Sequence, residues 1–214
     1  MTFQDRYDAG RRLAQALEQY RQEDPVVLGL PRGGVVVGYE IARVLAAPLD
    51  VLVVRKLGAP GAEEFAIGAI APGATLLSRE LVAGLGISRD YLAGIIAREA
   101  DELARRERVY RGTRQPLEVE GRTVILVDDG LATGATAQAA VESLRRRRPK
   151  KIVFAAPVCS VEGSESLRRV ADDVVCLECP ENFGAVGYWY RDFSPTTDAE
   201  VIECLGADAR RIPA

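Results

Sequence analysis

Val124-Ile125-Leu126-Val127-Asp128-Asp129-Gly130-Leu131-Ala132-Thr133-Gly134-Ala135-Thr136 decides the reading of this chain. Four β-formers in a row describe a buried parallel strand, which needs apolar side chains on both faces. Two carboxylates stand at the strand's end, followed by small residues and hydroxyls. Gln138-Ala139-Ala140-Val141 then opens a helical pattern. Strand, glycine loop and helix N-terminus make an anion cradle, because the first N–H groups of a helix lack partners and its dipole favours negative charge. Gly130 and Gly134 let the backbone come close, and Thr133 and Thr136 add hydroxyl donors. The loop is not of the Walker type, which needs Lys-Ser/Thr after the second glycine; Ala135-Thr136 stands there.

Working outward, the same alternation recurs. Arg6 to Arg21 has a helical apolar pattern stopped by Pro25. Val26 to Leu30 is a short buried strand, Val35 to Leu45 a helix, and Leu49 to Val54 the next strand. This is a βαβ unit and requires a parallel sheet. Leu57 to Gly86 is rich in Gly, Ala and Pro; Ile67 to Ile70 and Thr75 to Leu77 could form a hairpin there. Ser88 caps a long helix over Arg89 to Arg111. Beyond the central strand and helix come strands at Lys151 to Pro157 and Asp173 to Leu177, and helices at Glu165 to Val170 and Thr197 to Leu205. The expected fold is a three-layer α/β/α domain with a mostly parallel sheet. One domain spans residues 1–214, with a flexible loop at about 57–66 and an aromatic hood loop at about 180–194.

The 214 residues carry a net charge of −3, which gives no global basic field for nucleic acid. Arg145 to Arg148 reads as a solvated helix end. No apolar run is long enough for a membrane span, and the N-terminus lacks signal-peptide form, so a cytoplasmic location is expected. Cys159, Cys176, Cys179 and Cys204 occur without histidine. A zinc site would need all four to converge, so buried free thiols are expected.

Two further loops suit anions. Leu30-Pro31-Arg32-Gly33-Gly34 follows the first strand, with an open backbone and a guanidinium fork. Val53-Val54-Arg55-Lys56-Leu57-Gly58 ends another strand and contains one of only three lysines. All three loops fall at the carboxyl edge of a parallel sheet, where ligands of such sheets bind.

The central segment closely resembles the phosphoribosyl-pyrophosphate (PRPP) signature of type I phosphoribosyltransferases: apolar strand, two acidic residues, then Thr-Gly-x-Thr. The resemblance runs in order from about Val26 to Ala156. It implies that Asp128 and Asp129 hold the ribose hydroxyls and that Ala132, Thr133, Gly134, Ala135 and Thr136 hold the 5-phosphate, with Gly130 and Leu131 also part of the PRPP site. It implies pyrophosphate on Arg32, Gly33, Gly34, Arg55 and Lys56. Lys56, Arg32, Asp128 and Asp129 would serve catalysis, and a mobile loop containing Glu63 and Glu64 would close over the reacting centre. Mg²⁺ would ride on PRPP, with no protein ligand assigned. Family members for 6-oxopurines carry an Asp where Ala132 stands, so a different nitrogen acceptor is implied. Phe183, Tyr188 and Trp189 could stack that acceptor, or pin a loop or dimer contact. The resemblance further implies a homodimer. A PRPP- or nucleotide-sensing regulator without turnover is the alternative.

Overall fold

The structure is a computed structural model and describes residues 2–209. Five parallel strands form the central sheet in the order β2-β1-β6-β7-β8: β1 (Val26–Gly29), β2 (Leu49–Val51), β6 (Thr123–Val127), β7 (Lys151–Val158) and β8 (Asp173–Glu178). Every residue of β1 and β6 is buried, which explains their uninterrupted apolar runs. Helices α1 (Arg6–Ala16), α2 (Gly33–Leu45), α5 (Ala135–Arg146), α6 (Val161–Arg168) and α7 (Asp198–Ala209) accompany this sheet. Its two faces carry separate cores, one around Leu13, Val35, Ile41, Ile125 and Val153, the other around Leu126, Val141, Leu144 and Phe154.

The chain leaves β1 toward β2 on one side, and later enters β6 on the other. Strand order therefore reverses between β1 and β6, and a crevice opens at their carboxyl ends. Gly29 pairs with Val127, and the Leu30 N–H donates to the Val127 carbonyl at 2.8 Å. The loops after the two strands must consequently leave the sheet side by side.

The Gly/Ala-rich segment differs from expectation at its start. Residues 57–66, expected as a loop, lie in β3 (Arg55–Ala59) and β4 (Ala62–Ala71), which with β5 (Ala74–Leu77) form a three-stranded antiparallel sheet. The β4–β5 hairpin follows the sequence expectation. Leu57 and Ile67 are fully buried, so apolar burial holds these strands where local propensity is weak. Helix α3 (Arg79–Gly84) precedes α4 (Arg89–Arg111), which is capped by the Ser88 hydroxyl as expected.

The cysteines also depart from expectation. Cys159 and Cys176 are joined in a disulfide with Cα atoms 6.2 Å apart, Cys204 is a buried thiol, and Cys179 is exposed. Register is the cause: β7 and β8 are neighbours with Ala156 opposite Cys176, which brings the end of β7 within bridging reach. The arginine run is anchored rather than merely solvated. Arg145 pairs with Asp172, Arg146 and Arg147 donate to the Gly73 and Leu117 carbonyls, and Arg148 pairs with Glu120.

Candidate active site

The helices lining the crevice differ from the others in how they begin. Side chains cap α1 (Asp5), α3 (Ser78), α4 (Ser88) and α6 (Ser160), and the Thr197 hydroxyl accepts the Glu200 N–H at the start of α7. Helices α2 and α5, which follow the Arg-Gly-Gly and Thr-Gly loops, have no side-chain cap. Their N–H groups are left for something else to satisfy.

The phosphate-type loop is braced from below. The Ser160 hydroxyl donates to the Ala132 carbonyl at 2.6 Å, the Ser160 N–H to the Leu131 carbonyl at 2.7 Å, and the Leu131 N–H to the Val158 carbonyl at 2.9 Å. Gly134 takes φ +80°, a left-handed conformation that suits glycine, as it turns the chain into α5. Ala132 and Thr133 are exposed, and Thr136 is half-buried.

The Arg-Gly-Gly loop lies directly against the acidic pair. A Cβ on Gly33 would collide with the Asp129 carboxylate, and one on Gly34 would sit 2.5 Å from the Val127 carbonyl oxygen. Here glycine is required for close approach. The Pro31–Arg32 peptide bond is cis, and the Arg32 side chain is exposed.

Within the acidic pair, Asp128 accepts the Asp129 N–H at 2.9 Å. Burial, then the neighbouring Asp129 charge, push the Asp128 carboxyl well above the ordinary carboxylate range. Asp129 is held by Arg6, whose Nε lies 2.7 Å from Oδ2. Arg6 was not among the residues singled out in the sequence. Its only signal there was its place at the start of a helical pattern, which does not show a partner 123 positions away.

The remaining predicted anion residues face a neighbouring cavity of about 350 Å³, lined by Pro31, Lys56, Arg98, Arg106, Thr136 and Glu63 among others. Lys56 is exposed on β3 and makes no ion pair among the described residues. Arg55, beside it, is tied to Glu99 at 2.8 Å. Arg98 and Arg106 come from α4, and their contribution was not visible in its amphipathic pattern. Arg98 reaches Glu99 at 3.2 Å and Arg106 reaches Glu102 at 2.8 Å. The side chain of Glu64 lies outside the described residues.

The aromatic segment reaches the same crevice from the other side. A Cβ on Gly130 would collide with Val186, and the Tyr190 hydroxyl donates to the Asp129 carbonyl at 2.6 Å. Trp189 donates its indole N–H to the Phe183 carbonyl at 3.0 Å, whereas Tyr188 is 80% exposed. Among the described residues, no group of three or more His, Cys, Asp or Glu side chains could hold a metal ion, and no helix is long and apolar enough to cross a membrane.

The family model for the phosphoribosyl transferase domain matches residues 3–192. A Mycobacterium tuberculosis protein named "Putative phosphoribosyl transferase" is 45% identical over 204 residues, covering 95% of this chain and 46% of that protein. The chain thus spans about half the length of the curated relatives it matches. A uracil phosphoribosyltransferase from Staphylococcus carnosus is 35% identical over 103 residues, 44% of this chain and 48% of that enzyme. A crystal structure of a Thermus thermophilus protein matches with a TM-score of 0.83 at 46% identity, covering 96% of this chain and 98% of the other. With the uncapped start of α2 packed against an acidic pair and a family model that matches residues 3–192, the chain belongs to the phosphoribosyl transferase domain family.

Proposed function

We propose that this chain transfers the 5-phosphoribosyl group of PRPP to a nitrogen acceptor, a nucleobase other than a 6-oxopurine, with release of pyrophosphate. The observation that carries the reading is the Arg-Gly-Gly loop at the uncapped start of α2, packed against Asp128 and Asp129, with the uncapped start of α5 five residues further along the same loop. A sugar phosphate with anions at both ends and hydroxyls between them fits that order. The 5-phosphate would sit on the N–H groups of Ala135 and Thr136, with the Thr133 and Thr136 hydroxyls, and the ribose on the acidic pair. The pyrophosphate would lie between the Arg-Gly-Gly loop and Lys56. In the reaction the C1–O bond breaks, pyrophosphate leaves with the electron pair, and the acceptor nitrogen bonds to C1 and loses its proton. Fixed cations at the leaving group stabilise charge that grows in the transition state. Glu63 and Glu99 both line the cavity that Lys56 lines, and because Glu99 is paired with Arg55 and Arg98, Glu63 is the carboxylate we assign to take that proton. Mg²⁺ would be held by substrate oxygens, as that ion prefers phosphate oxygens and retained water. A homodimer, implied by the sequence resemblance, belongs to the same reading.

The test is a screen of nucleobases with PRPP and Mg²⁺, read as pyrophosphate release, beside calorimetry of PRPP alone. Wild-type protein should bind PRPP, and Asp128→Asn with Asp129→Asn should weaken it at least about tenfold, since each charge-assisted bond contributes roughly 1.5–3 kcal/mol. Unchanged affinity in the double variant would remove the ribose assignment. PRPP binding with no acceptor turned over would favour the sensing regulator.

A further inference from the structure

We propose that Arg6 is a positioning residue that sets the acidic pair for the ribose and links it to the aromatic segment from Phe183 to Ser194. The proposal rests on the ribose assignment made above. Arg6 opens α1 and uses three surfaces of one planar group. Its Nε donates to Asp129 Oδ2 at 2.7 Å, its Nη1 donates to the Ser194 carbonyl at 2.8 Å, and its face lies 4.0 Å from the Phe193 ring centroid. Only a guanidinium combines a rigid donor fork with a stacking face. The side chain is 11% exposed, so the pair is sheltered from solvent screening.

The consequence for the site is specific. Arg6 takes one oxygen of Asp129, and the Asp129 N–H takes one oxygen of Asp128. The two carboxylates also lie within hydrogen-bond reach of each other, so a pair of neighbouring ribose hydroxyls would bind by replacing that contact. Without Arg6 the two adjacent carboxylates would repel each other, and Asp129 would lose the contact that fixes its rotamer. A hydroxyl arriving on Asp129 also competes for charge with Arg6, and any movement of Arg6 is felt at Phe193 and Ser194. Phe193 packs on Tyr190 with centroids 5.0 Å apart, and Tyr190 reaches back to the Asp129 carbonyl, which closes the circuit. Occupation of the ribose site is thereby coupled to the segment that carries Trp189.

Trp189 is the only tryptophan, so its emission reads this segment directly. PRPP with Mg²⁺ should be titrated into wild type, Arg6→Gln, Arg6→Lys and Phe193→Leu, following emission and calorimetry together, with thermal unfolding as the control for folding. Wild type should show a saturable emission change at the calorimetric Kd. Arg6→Gln should weaken PRPP about tenfold or more and abolish the emission change even at saturation. Arg6→Lys should regain part of the affinity without the emission change, because an ammonium cannot fork and stack at once. Phe193→Leu should keep affinity within about threefold and lose the emission change. If Arg6→Gln fails to fold, the other two variants decide, and a wild-type response in both overturns the proposal. Wild-type affinity in folded Arg6→Gln overturns the positioning role, and a retained emission change overturns the coupling. Wild-type protein that binds no PRPP would instead overturn the proposed function, and this inference with it.

Discussion

The two sheets of the molecule obey opposite rules. In the five-stranded sheet, β6 is buried at every position and reads as an unbroken apolar run. In the three-stranded sheet burial changes along the strands: Leu57 to Ala59 of β3 and Ala69 to Ala71 of β4 are buried, while Phe65 is 49% exposed. Glycine carries different meanings in that second sheet. A Cβ on Gly68 would collide with the Leu76 carbonyl across the β4–β5 pair, and one on Gly58 with the backbone of Glu63, whereas Gly73 turns with φ +72° in open space. Two of these glycines allow strands to approach and one permits a turn. Strands of large apolar residues declare themselves through that content, but a sheet built from glycine and alanine resembles a loop until its partner strands are in place.

The largest expected effect tests whether the smaller sheet contributes chemistry. Lys56→Ala should lower kcat by ~10²–10³, as loss of one preorganised charge stabiliser does, with little change in acceptor binding. Steady-state kinetics at saturating PRPP would measure it, and undiminished turnover would leave the smaller sheet as scaffold only.

The next effect concerns the parallel sheet. The disulfide joins the end of β7 to β8 across 17 residues, and a loop of that size corresponds to about 3 kcal/mol. Cys159→Ala with Cys176→Ala should lower Tm by roughly 6–12 °C in a calorimeter. An unchanged Tm would mean that strand pairing alone holds this edge.

Gly68→Ala should cost ~1–3 kcal/mol in a denaturant titration because it overpacks a strand interface. Gly73→Ala, which meets no atom within 4 Å, should cost only its left-handed strain of roughly 1–2 kcal/mol. The reverse order would show that the strands separate without penalty.

The smallest effect returns to the crevice. Asp128 binds its proton more readily in the folded protein than in the unfolded chain, where its value is 3.8. Its ionisation therefore costs stability above the raised folded pKa, and that cost disappears as pH falls below the unfolded value. Asp128→Asn keeps an oxygen for the Asp129 N–H and should raise Tm at pH 7, where the wild-type carboxylate bears its full ionisation cost. The gain over wild type should shrink on acidification and vanish only below the unfolded value of 3.8. A constant difference across that range would point to packing instead of charge.

Much of this was legible because it is local. The parallel strands, the Ser88 cap and the loops after β1 and β6 each follow from a few consecutive residues. Arg6, Arg98 and Arg106 were not legible in their roles. A charged residue at the start of a helix or on its polar face looks the same whether it meets solvent or a ligand crevice.

The sequence by itself determined the alternation of buried strands and helices, and with it a parallel sheet whose glycine loops leave from one edge, since helix N-termini and buried runs are set within a turn or two of chain. Tertiary structure alone decided which carboxylate Arg6 neutralises, which cysteines meet, and that the segment after β2 folds as a second sheet. Those outcomes depend on strand register and on contacts between residues far apart in the chain, and such contacts form only when the two cores have packed.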